Sequence, residues 1–238
     1  SSRLSSDDNE DKELRKNLMK ILTKRMNIGI GAKLINKAVG KELIPDPSLM
    51  LATDDHSTIE KWNTIYCEEK YDGVRVIAVY KNGEMSYFTR AFNELDATFF
   101  PKLTFDLKLL MINSGLTGNW FFDGELTDHN RKSVSGKVTQ ILKGTGSKTI
   151  EDGMLFNVFD FEELTTLSKG AGVIDYETRR HTLERVLKNV KPESPVKLAQ
   201  AWKLTDPSEV AGIYKEIVKQ GGEGVICKDS GVYECKRS

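Results

Sequence analysis

A lysine, an aspartate, a glycine and an arginine at close spacing are the residues of this 238-residue chain best suited to chemistry: Lys70, Asp72, Gly73 and Arg75. Lys70 ends an apolar run, and Gly73 permits a sharp turn just after it. A lysine amine that is held out of water beside cations favours its neutral form, which is a nucleophile. A solvated surface lysine is the ordinary alternative, and this segment alone leaves both interpretations open.

The β-rich runs on either side of Asn82 and Gly83 predict a two-residue type I′ hairpin. In the register that this turn sets, Arg75 lies directly opposite Arg90. Like charges that face each other across a strand pair destabilise it, so the arrangement favours an anion bound between the two arginines. The alternatives are that both side chains extend into water or pair with carboxylates, or that a bulge shifts the register.

Two glutamates stand in strongly apolar β-rich runs, Glu125 within one and Glu223 at the start of another. Burying a carboxylate is costly unless it binds a cation or a hydroxyl group. A structural salt bridge is the alternative for each. Phe159 belongs to a third apolar run, and its ordinary interpretation is a residue of the hydrophobic core.

The formal net charge of zero conceals two opposed parts of the chain. Residues 1–41 hold ten basic and five acidic residues, a net +5, and the rest carries the compensating −5. A glycine-rich turn between two predicted helices in this block, with Gly29, Gly31, Lys33 and Lys37, can contact duplex phosphates without reading sequence. A solvated helix face, or a helical hairpin packed on its neighbour, explains the same pattern.

The segment Pro45-Asp46-Pro47 ends the helical pattern and predicts a boundary between residues 1–47 and residues 48–238. Beyond it, short β-rich runs alternate with helical patches, most clearly at 207–220. This pattern predicts an α+β fold with antiparallel strands.

Composition excludes several classes of protein. Three cysteines are too few and too scattered for a disulfide framework or a zinc cluster, and they indicate a reducing compartment. The three histidines lack metal-ligand spacing. No apolar run approaches the roughly 18–20 residues that a membrane span needs.

The residues suited to chemistry, from Lys70 to Glu223, lie in five stretches of the chain. In the same order, these stretches resemble the motifs of the covalent nucleotidyltransferases, which include DNA ligases, RNA ligases and mRNA capping enzymes. Phe92 stands where those proteins usually have glycine. The resemblance is closest to ATP-dependent DNA ligases of the T-even bacteriophage type and covers nearly the whole chain, including the front block. The five stretches are Lys70-x-Asp72-Gly73-x-Arg75, Thr89-Arg90-Ala91, Phe122-Asp123-Gly124-Glu125-Leu126, Phe156-Asn157-Val158-Phe159-Asp160 and Glu223-Gly224-Val225-Ile226-Cys227-Lys228.

The resemblance implies a nucleotidyltransferase (adenylation) domain preceded by the last helices of a helical DNA-binding domain. It implies that AMP passes from ATP to Lys70, then to the 5′-phosphate of a nick, which a 3′-hydroxyl seals in DNA replication, repair and recombination. ATP, Mg²⁺ and nicked double-stranded DNA are the implied cofactors and partners of a cytoplasmic monomer. The implied roles are Asp72 to order Lys70, Glu68 to recognise the adenine amino group, Arg75 and Arg90 to contact ribose and phosphate, Phe159 to stack on the base, Glu125 to contact ribose, Glu125 and Glu223 to hold Mg²⁺, and Lys228 to contact phosphate.

In ligases of this type a K-x-K motif and an OB-fold domain follow the point at which this sequence stops. The resemblance therefore implies an adenylation domain that is incomplete at its C-terminus, that holds adenosine but adenylates itself poorly, and that seals nicks inefficiently. An RNA ligase or capping-type enzyme is one alternative, against which the basic front block argues. A non-catalytic nucleotide- or DNA-binding module is another, for which the intact Lys70 motif would be superfluous.

Overall fold

A computed structural model describes residues 49–53, 58–128 and 133–236. The predicted DNA-contacting residues Gly29, Gly31, Lys33 and Lys37 lie outside these ranges, as does the predicted boundary after residue 47. The strands are β1 (Ile65–Lys70), β2 (Val74–Lys81), β3 (Glu84–Thr89), β4 (Glu94–Leu95), β5 (Trp120–Asp128), β6 (Met154–Glu163), β7 (Ala171–Asp175), β8 (Val196–Leu198), β9 (Ala201–Leu204), β10 (Gly224–Lys228) and β11 (Val232–Glu234). The helices are α1 (Pro101–Ser114), α2 (Ser133–Leu142), α3 (Thr165–Lys169), α4 (Tyr176–Leu187) and α5 (Ser208–Lys219), with short 3-10 turns at Ile59–Lys61 and Ala97–Phe99.

The described strands form three sheets. A six-stranded sheet has the order β4-β3-β2-β5-β6-β8, a three-stranded sheet has the order β10-β1-β9, and β11 pairs with β7. All pairs are antiparallel except β6 with β8. The α+β prediction with antiparallel strands is confirmed, and so is the helix predicted at 207–220, which spans Ser208–Lys219.

The main core lies between the six-stranded sheet and the helices α1, α2 and α4. Alternation along the strands decides which side chains enter it, because successive residues of a strand point to opposite faces. In β2, Val76 and Ala78 pack in this core, whereas Ile77 and Val79 pack in a second cluster with Phe121. Both faces of β2 are therefore buried, which explains its nearly continuous apolar sequence.

The hairpin between β2 and β3 has the predicted register from Lys81↔Glu84 to Val76↔Thr89. Both turn residues have positive φ, 53° at Asn82 and 84° at Gly83, as a type I′ turn requires.

The predicted pairing of Arg75 with Arg90 is wrong, because β3 ends at Thr89. The amide of Phe92 donates to the Thr89 carbonyl at 2.8 Å, and the Thr89 amide donates to the Asn93 carbonyl at 2.9 Å. These hydrogen bonds turn the chain at Arg90 and end the ladder one position early.

The backbone at Gly73, between β1 and β2, lies against β5. A Cβ at this position would lie 2.1 Å from the carbonyl oxygen of Leu126, which is a backbone atom and cannot give way as a side chain can. Close approach of two backbones is therefore the reason for glycine here.

Replacing Gly73 with alanine is expected to lower the free energy of unfolding by about 1–3 kcal/mol or more, the usual cost of overpacking. Gly136→Ala is the matched control, since Gly136 lies in α2 and a methyl group added there would have no other atom within 4 Å. That substitution should stabilise the protein by about 0.4–1 kcal/mol. Urea denaturation followed by circular dichroism measures both changes, and equal effects at the two positions would contradict the close-approach argument.

No helix in the part of the chain that the structure describes is long and apolar enough to cross a membrane.

Candidate active site

A cavity of about 1010 Å³ is lined by residues of the three-stranded sheet, the six-stranded sheet and the turns beside them. Every site residue that the sequence predicted within the described ranges lines it. These residues are Glu68, Lys70, Asp72, Arg75, Arg90, Glu125, Phe159, Glu223 and Lys228. Asp72 and Arg90 lie between strands, and the others reach the cavity from strand positions or strand ends.

Lys70 is the last residue of β1 and lies opposite Gly224, the first residue of β10. Its ammonium group forms an ion pair with Glu223, which directly precedes β10. The Lys70 side chain is 45% exposed. The expectation of an amine held out of water beside cations is therefore wrong for this conformation, since the nearest charged partner is a carboxylate and water reaches the group.

Glu68, two residues earlier on β1, is buried with 2% exposure. Its carboxylate accepts a hydrogen bond from the Tyr176 hydroxyl and forms a 2.8 Å ion pair with the Lys228 ammonium. Lys228 lies opposite Tyr66, so it belongs to the same sheet face as Glu68 and Lys70. Glu223 and Lys228 are five residues apart, so strict alternation would put them on opposite faces of a strand. Glu223 precedes β10, so this rule does not apply to it.

Arg75 on β2 is held by Asp123 on β5. Its Nε donates to one carboxylate oxygen at 2.9 Å and its Nη2 donates to the other at 2.5 Å. Asp123 is fully buried and also accepts a 2.6 Å hydrogen bond from the Tyr233 hydroxyl. Bidentate pairing of this kind fixes the plane of a guanidinium group. Arg75 is thus oriented by a carboxylate, which was one of the alternatives that the sequence left open.

Glu125 lies two residues after Asp123 on β5 and opposite Arg75. Burial raises the pKa of Glu125 to about 8; the charge of Arg75 opposes this rise, and the nearby carboxylates Asp123, Glu223 and Asp72 add to it. Burial is therefore the main reason that the charged form of Glu125 is disfavoured, and the neighbouring carboxylates contribute less.

Phe159 reaches the cavity because of a β-bulge in β6. Asp123 pairs with Asp160 and Gly124 pairs with Val158, so Phe159 has no partner on β5. Strict alternation would put Phe159 and Phe161 on one face, but Phe161 packs in the main core and Phe159 lines the cavity. Bulges commonly redirect a side chain beside an active site. The ring is half-buried, with Arg75 Cζ and Lys228 Nζ each 5.3 Å from its centroid.

Asp160, next to the bulge, joins the cavity to helix α4. It is buried and accepts hydrogen bonds from Arg179 Nε at 2.8 Å and Arg179 Nη2 at 3.2 Å, and Lys228 Nζ lies 3.5 Å away. Burial alone would raise the pKa of Asp160, but the positive charges of Lys228 and Arg179 outweigh it and hold the pKa below its ordinary value.

The sequence interpretation assigned no role to several residues that hold the site in place. Asp123 and Asp160 fall within the quoted motifs, and an acidic residue in an apolar strand could have indicated each of them. Tyr176 and Arg179 are three residues apart on α4 and so share a helix face, from which they reach Glu68 and Asp160.

The family model described as the ATP dependent DNA ligase domain matches residues 48–238. The chain belongs to this family. Comparison with curated protein sequences gives no match.

Solved structures of DNA ligases share the fold of this ligase domain. The structure named Pmar-Lig_PreS3 has a TM-score of 0.72 at 22% identity, over 92% of this chain and 52% of that one, so the present chain spans about half of that protein. The bacteriophage T7 ATP-dependent DNA ligase in complex with ATP has a TM-score of 0.62 at 18% identity, over 82% and 66% of the two chains. The Chlorella virus DNA ligase-adenylate has a TM-score of 0.54 at 17% identity, over 81% and 63%.

Phe92 of this ligase domain has φ of 57°, in the left-handed region that favours glycine. The proteins that the sequence resembles usually have glycine at this position, and the backbone has the conformation that glycine adopts easily. The Phe92 side chain packs beside the cluster that contains Ile77, Phe121 and Tyr233. This apolar contact offsets the backbone strain at the turn.

The carboxylates of Glu125 and Glu223 offer the ligase domain the hard oxygen donors that Mg²⁺ prefers. The residues that the structure describes include no group of three or more potential ligands for a metal ion. Two carboxylates nevertheless suit Mg²⁺, which usually keeps several waters and binds one or two carboxylates together with substrate phosphates. Burial and the neighbouring carboxylates both disfavour the charged form of Glu125, and a bound cation would favour it.

Proposed function

We propose that this chain is the adenylation domain of an ATP-dependent DNA ligase in which Lys70 accepts AMP from ATP. The observation that carries the proposal is the convergence of Lys70 with a bidentately held arginine, a buried carboxylate and an aromatic ring around one cavity. A nucleotide needs these partners: cations for its phosphates, an acceptor for the adenine amino group, and a flat apolar surface for the base.

In the proposed reaction the Lys70 amine attacks the α-phosphorus of ATP. A phosphorus–nitrogen bond forms, the bond to the bridging oxygen breaks, and pyrophosphate leaves. Lys70 must first separate from Glu223 and lose a proton. The exposure of this ion pair favours the separation, because a surface ion pair contributes at most about 1 kcal/mol.

The other cavity residues hold the nucleotide. Glu68 accepts a hydrogen bond from the adenine amino group, and its orientation is fixed by Tyr176. Arg75 and Arg90 contact ribose and phosphate, and Lys228 contacts phosphate. Asp72 orders the lysine. Mg²⁺ held by Glu125 and Glu223 would neutralise charge on the α-phosphate.

The second substrate in this proposal is nicked double-stranded DNA. Gly29, Gly31, Lys33 and Lys37 contact its phosphates without reading sequence, and AMP passes from Lys70 to the 5′-phosphate before a 3′-hydroxyl seals the nick. We further propose that the protein acts as a monomer in the cytoplasm, in DNA replication, repair and recombination.

Incubation of the chain with α-labelled ATP and Mg²⁺ tests this function. The expected product is a protein-bound label that is acid-labile and base-stable, as a phosphoramidate is. A chase with nicked DNA or nicked RNA then identifies the acceptor. Transfer to the DNA 5′-phosphate supports a DNA ligase, transfer to RNA alone supports the RNA-ligase alternative, and nucleotide binding without a label supports a non-catalytic module.

Phe159→Ala is expected to weaken the binding of AMP about 5- to 150-fold, because stacking of a base on an aromatic ring contributes about 1–3 kcal/mol. Isothermal titration calorimetry measures the dissociation constant. Phe105→Ala is the matched control: Phe105 lies on α1 with 66% exposure, and its removal should leave AMP binding unchanged. Equal affinity of wild type and Phe159→Ala would exclude stacking on this ring.

A further inference from the structure

Cys67 and Cys227 face each other across the strand pair that also carries Lys70 and Lys228. They are register partners in the antiparallel ladder of β1 and β10. Directly opposed residues of such a ladder direct their side chains to the same face, with Cα atoms about 4.5 or 5.5 Å apart. Both spacings lie within the roughly 4.4–6.8 Å that a disulfide bond spans. The fold thus places two thiols where they can bond without rearrangement of the strands.

The two thiols differ in access to solvent. Cys67 is fully buried in the cluster with Ile65 and Leu204. Cys227 is only partly buried and packs against the same cluster. Solvent therefore reaches Cys227 more readily than Cys67.

Contact between the thiols supports their pairing. A hydrogen bond between them raises the pKa of Cys67 and lowers the pKa of Cys227. A sulfenic acid formed on one of them would therefore lie within reach of the other thiol.

A shared metal ion does not account for the pair. Zinc sites use four ligands, or three with an open position. Within the described ranges no group of three or more histidine, cysteine or acidic side chains could hold a metal ion. Two opposed thiols without further ligands suit bond formation with each other.

We propose that Cys67 and Cys227 are an oxidation site that closes to a reversible disulfide when the chain meets hydrogen peroxide. In the first step the Cys227 sulfur attacks one peroxide oxygen, which gives a sulfenic acid and one water. In the second step the Cys67 sulfur attacks the Cys227 sulfur and displaces the hydroxyl, which leaves with a proton as a second water. Two thiols are oxidised and one peroxide is reduced to two waters. A thiol reductant such as dithiothreitol reverses the change by disulfide exchange.

The disulfide would link β1 to β10 at the residues that precede Glu68 and Lys228, whose ion pair already connects the two strands. It would thus cross-link the strand that carries Lys70 to the strand that carries Lys228. The site rests on the strand register and not on the proposed ligation reaction, so it can be tested without ATP or DNA.

Peptide mapping of the folded, reduced chain after peroxide treatment and alkylation tests the proposal. The expected product is a disulfide-linked pair of peptides that contain Cys67 and Cys227. Its mass is about 2 Da less than the sum of the two peptides with free thiols, because two hydrogen atoms are lost. Cys235 should be recovered alkylated, and dithiothreitol should restore both thiols. Recovery of Cys67 and Cys227 as separate alkylated peptides, or a bond to Cys235, would overturn the proposal.

Three serine variants separate the steps. Cys67→Ser should leave a sulfenic acid on Cys227 that reacts with dimedone, and Cys227→Ser should abolish oxidation of Cys67. Cys235→Ser is the matched control, because Cys235 packs in another cluster and contacts the Thr166 carbonyl; the disulfide should form in it as in wild type. If a variant fails to fold, the peptide map of the oxidised wild-type chain still shows whether Cys67 and Cys227 form the disulfide. In urea, the cysteines should pair without preference, which would show that the native strand register directs the bond.

Discussion

Lys70→Ala is expected to abolish covalent labelling by α-labelled ATP, with a loss of at least about a thousandfold in the rate of adenylation. The alanine variant has no amine at the end of β1, and the other lysine that the structure places along the cavity, Lys228, lacks the same freedom because Glu68 and Asp160 hold it. Loss of a covalent nucleophile removes the reaction path itself, so the expected effect exceeds that of any binding residue.

The same variant should retain the binding of AMP within about fivefold, because the Lys70–Glu223 pair is exposed and contributes little to stability. Lys102→Ala is the matched control: Lys102 is an exposed lysine paired with Asp152 at 2.9 Å, far along the chain on α1. Gel autoradiography measures the label and calorimetry measures AMP binding. A label that persists in Lys70→Ala would show that another residue is the nucleophile.

Arg179→Met is expected to lower the free energy of unfolding by about 3–5 kcal/mol, the usual cost of breaking a buried ion pair by removing one partner. Arg179 is 2% exposed and donates two hydrogen bonds to buried Asp160 and one of 2.6 Å to the Ile174 carbonyl. Removing the guanidinium leaves Asp160 with Lys228 as its remaining charged partner among the described residues. Guanidinium denaturation followed by circular dichroism measures the change.

Arg185→Met supplies the comparison, because Arg185 is exposed on the same helix and its loss should alter stability by no more than about 0.5 kcal/mol. The difference in the free energy of unfolding between wild type and Arg179→Met should become smaller as the pH falls. The pKa of Asp160 in the folded protein lies below its ordinary value. Its ion pair therefore stabilises the protein fully at a pH above the pKa that Asp160 has in the unfolded chain. This stabilisation is lost as the pH falls through the pKa that Asp160 has in the folded protein. An Arg179→Met protein as stable as Arg185→Met would show that the pair contributes nothing.

Local sequence signals predicted the parts of the fold that depend on neighbouring residues. The Asn-Gly turn set the register of β2 and β3, because only a turn with positive φ at both residues matches the twist of the strands. The same signal failed at Arg90, where hydrogen bonds from Thr89 and Phe92 end the strand. Those bonds depend on the following turn, which the hairpin pattern does not encode.

The cavity beside Lys70 shows a similar division. The motifs that resemble those of the family identified nine of the residues that line it. They did not identify Asp123, Asp160, Tyr176 or Arg179 as the groups that orient Arg75, Lys228 and Glu68. These partners come from other strands or from α4, and contacts between distant segments leave no periodic trace in a single sequence.

The sequence by itself determined the family resemblance, the antiparallel α+β class and nine of the residues around the cavity, because motifs and short-range patterns are local properties. The tertiary structure decided three further matters. The bulge in β6 turned Phe159 from a core position to the cavity, Glu223 rather than a group of cations became the partner of Lys70, and the pairing of β1 with β10 brought Cys67 opposite Cys227. Each of these depends on which strands become neighbours and in what register, and that is fixed only when the whole domain packs.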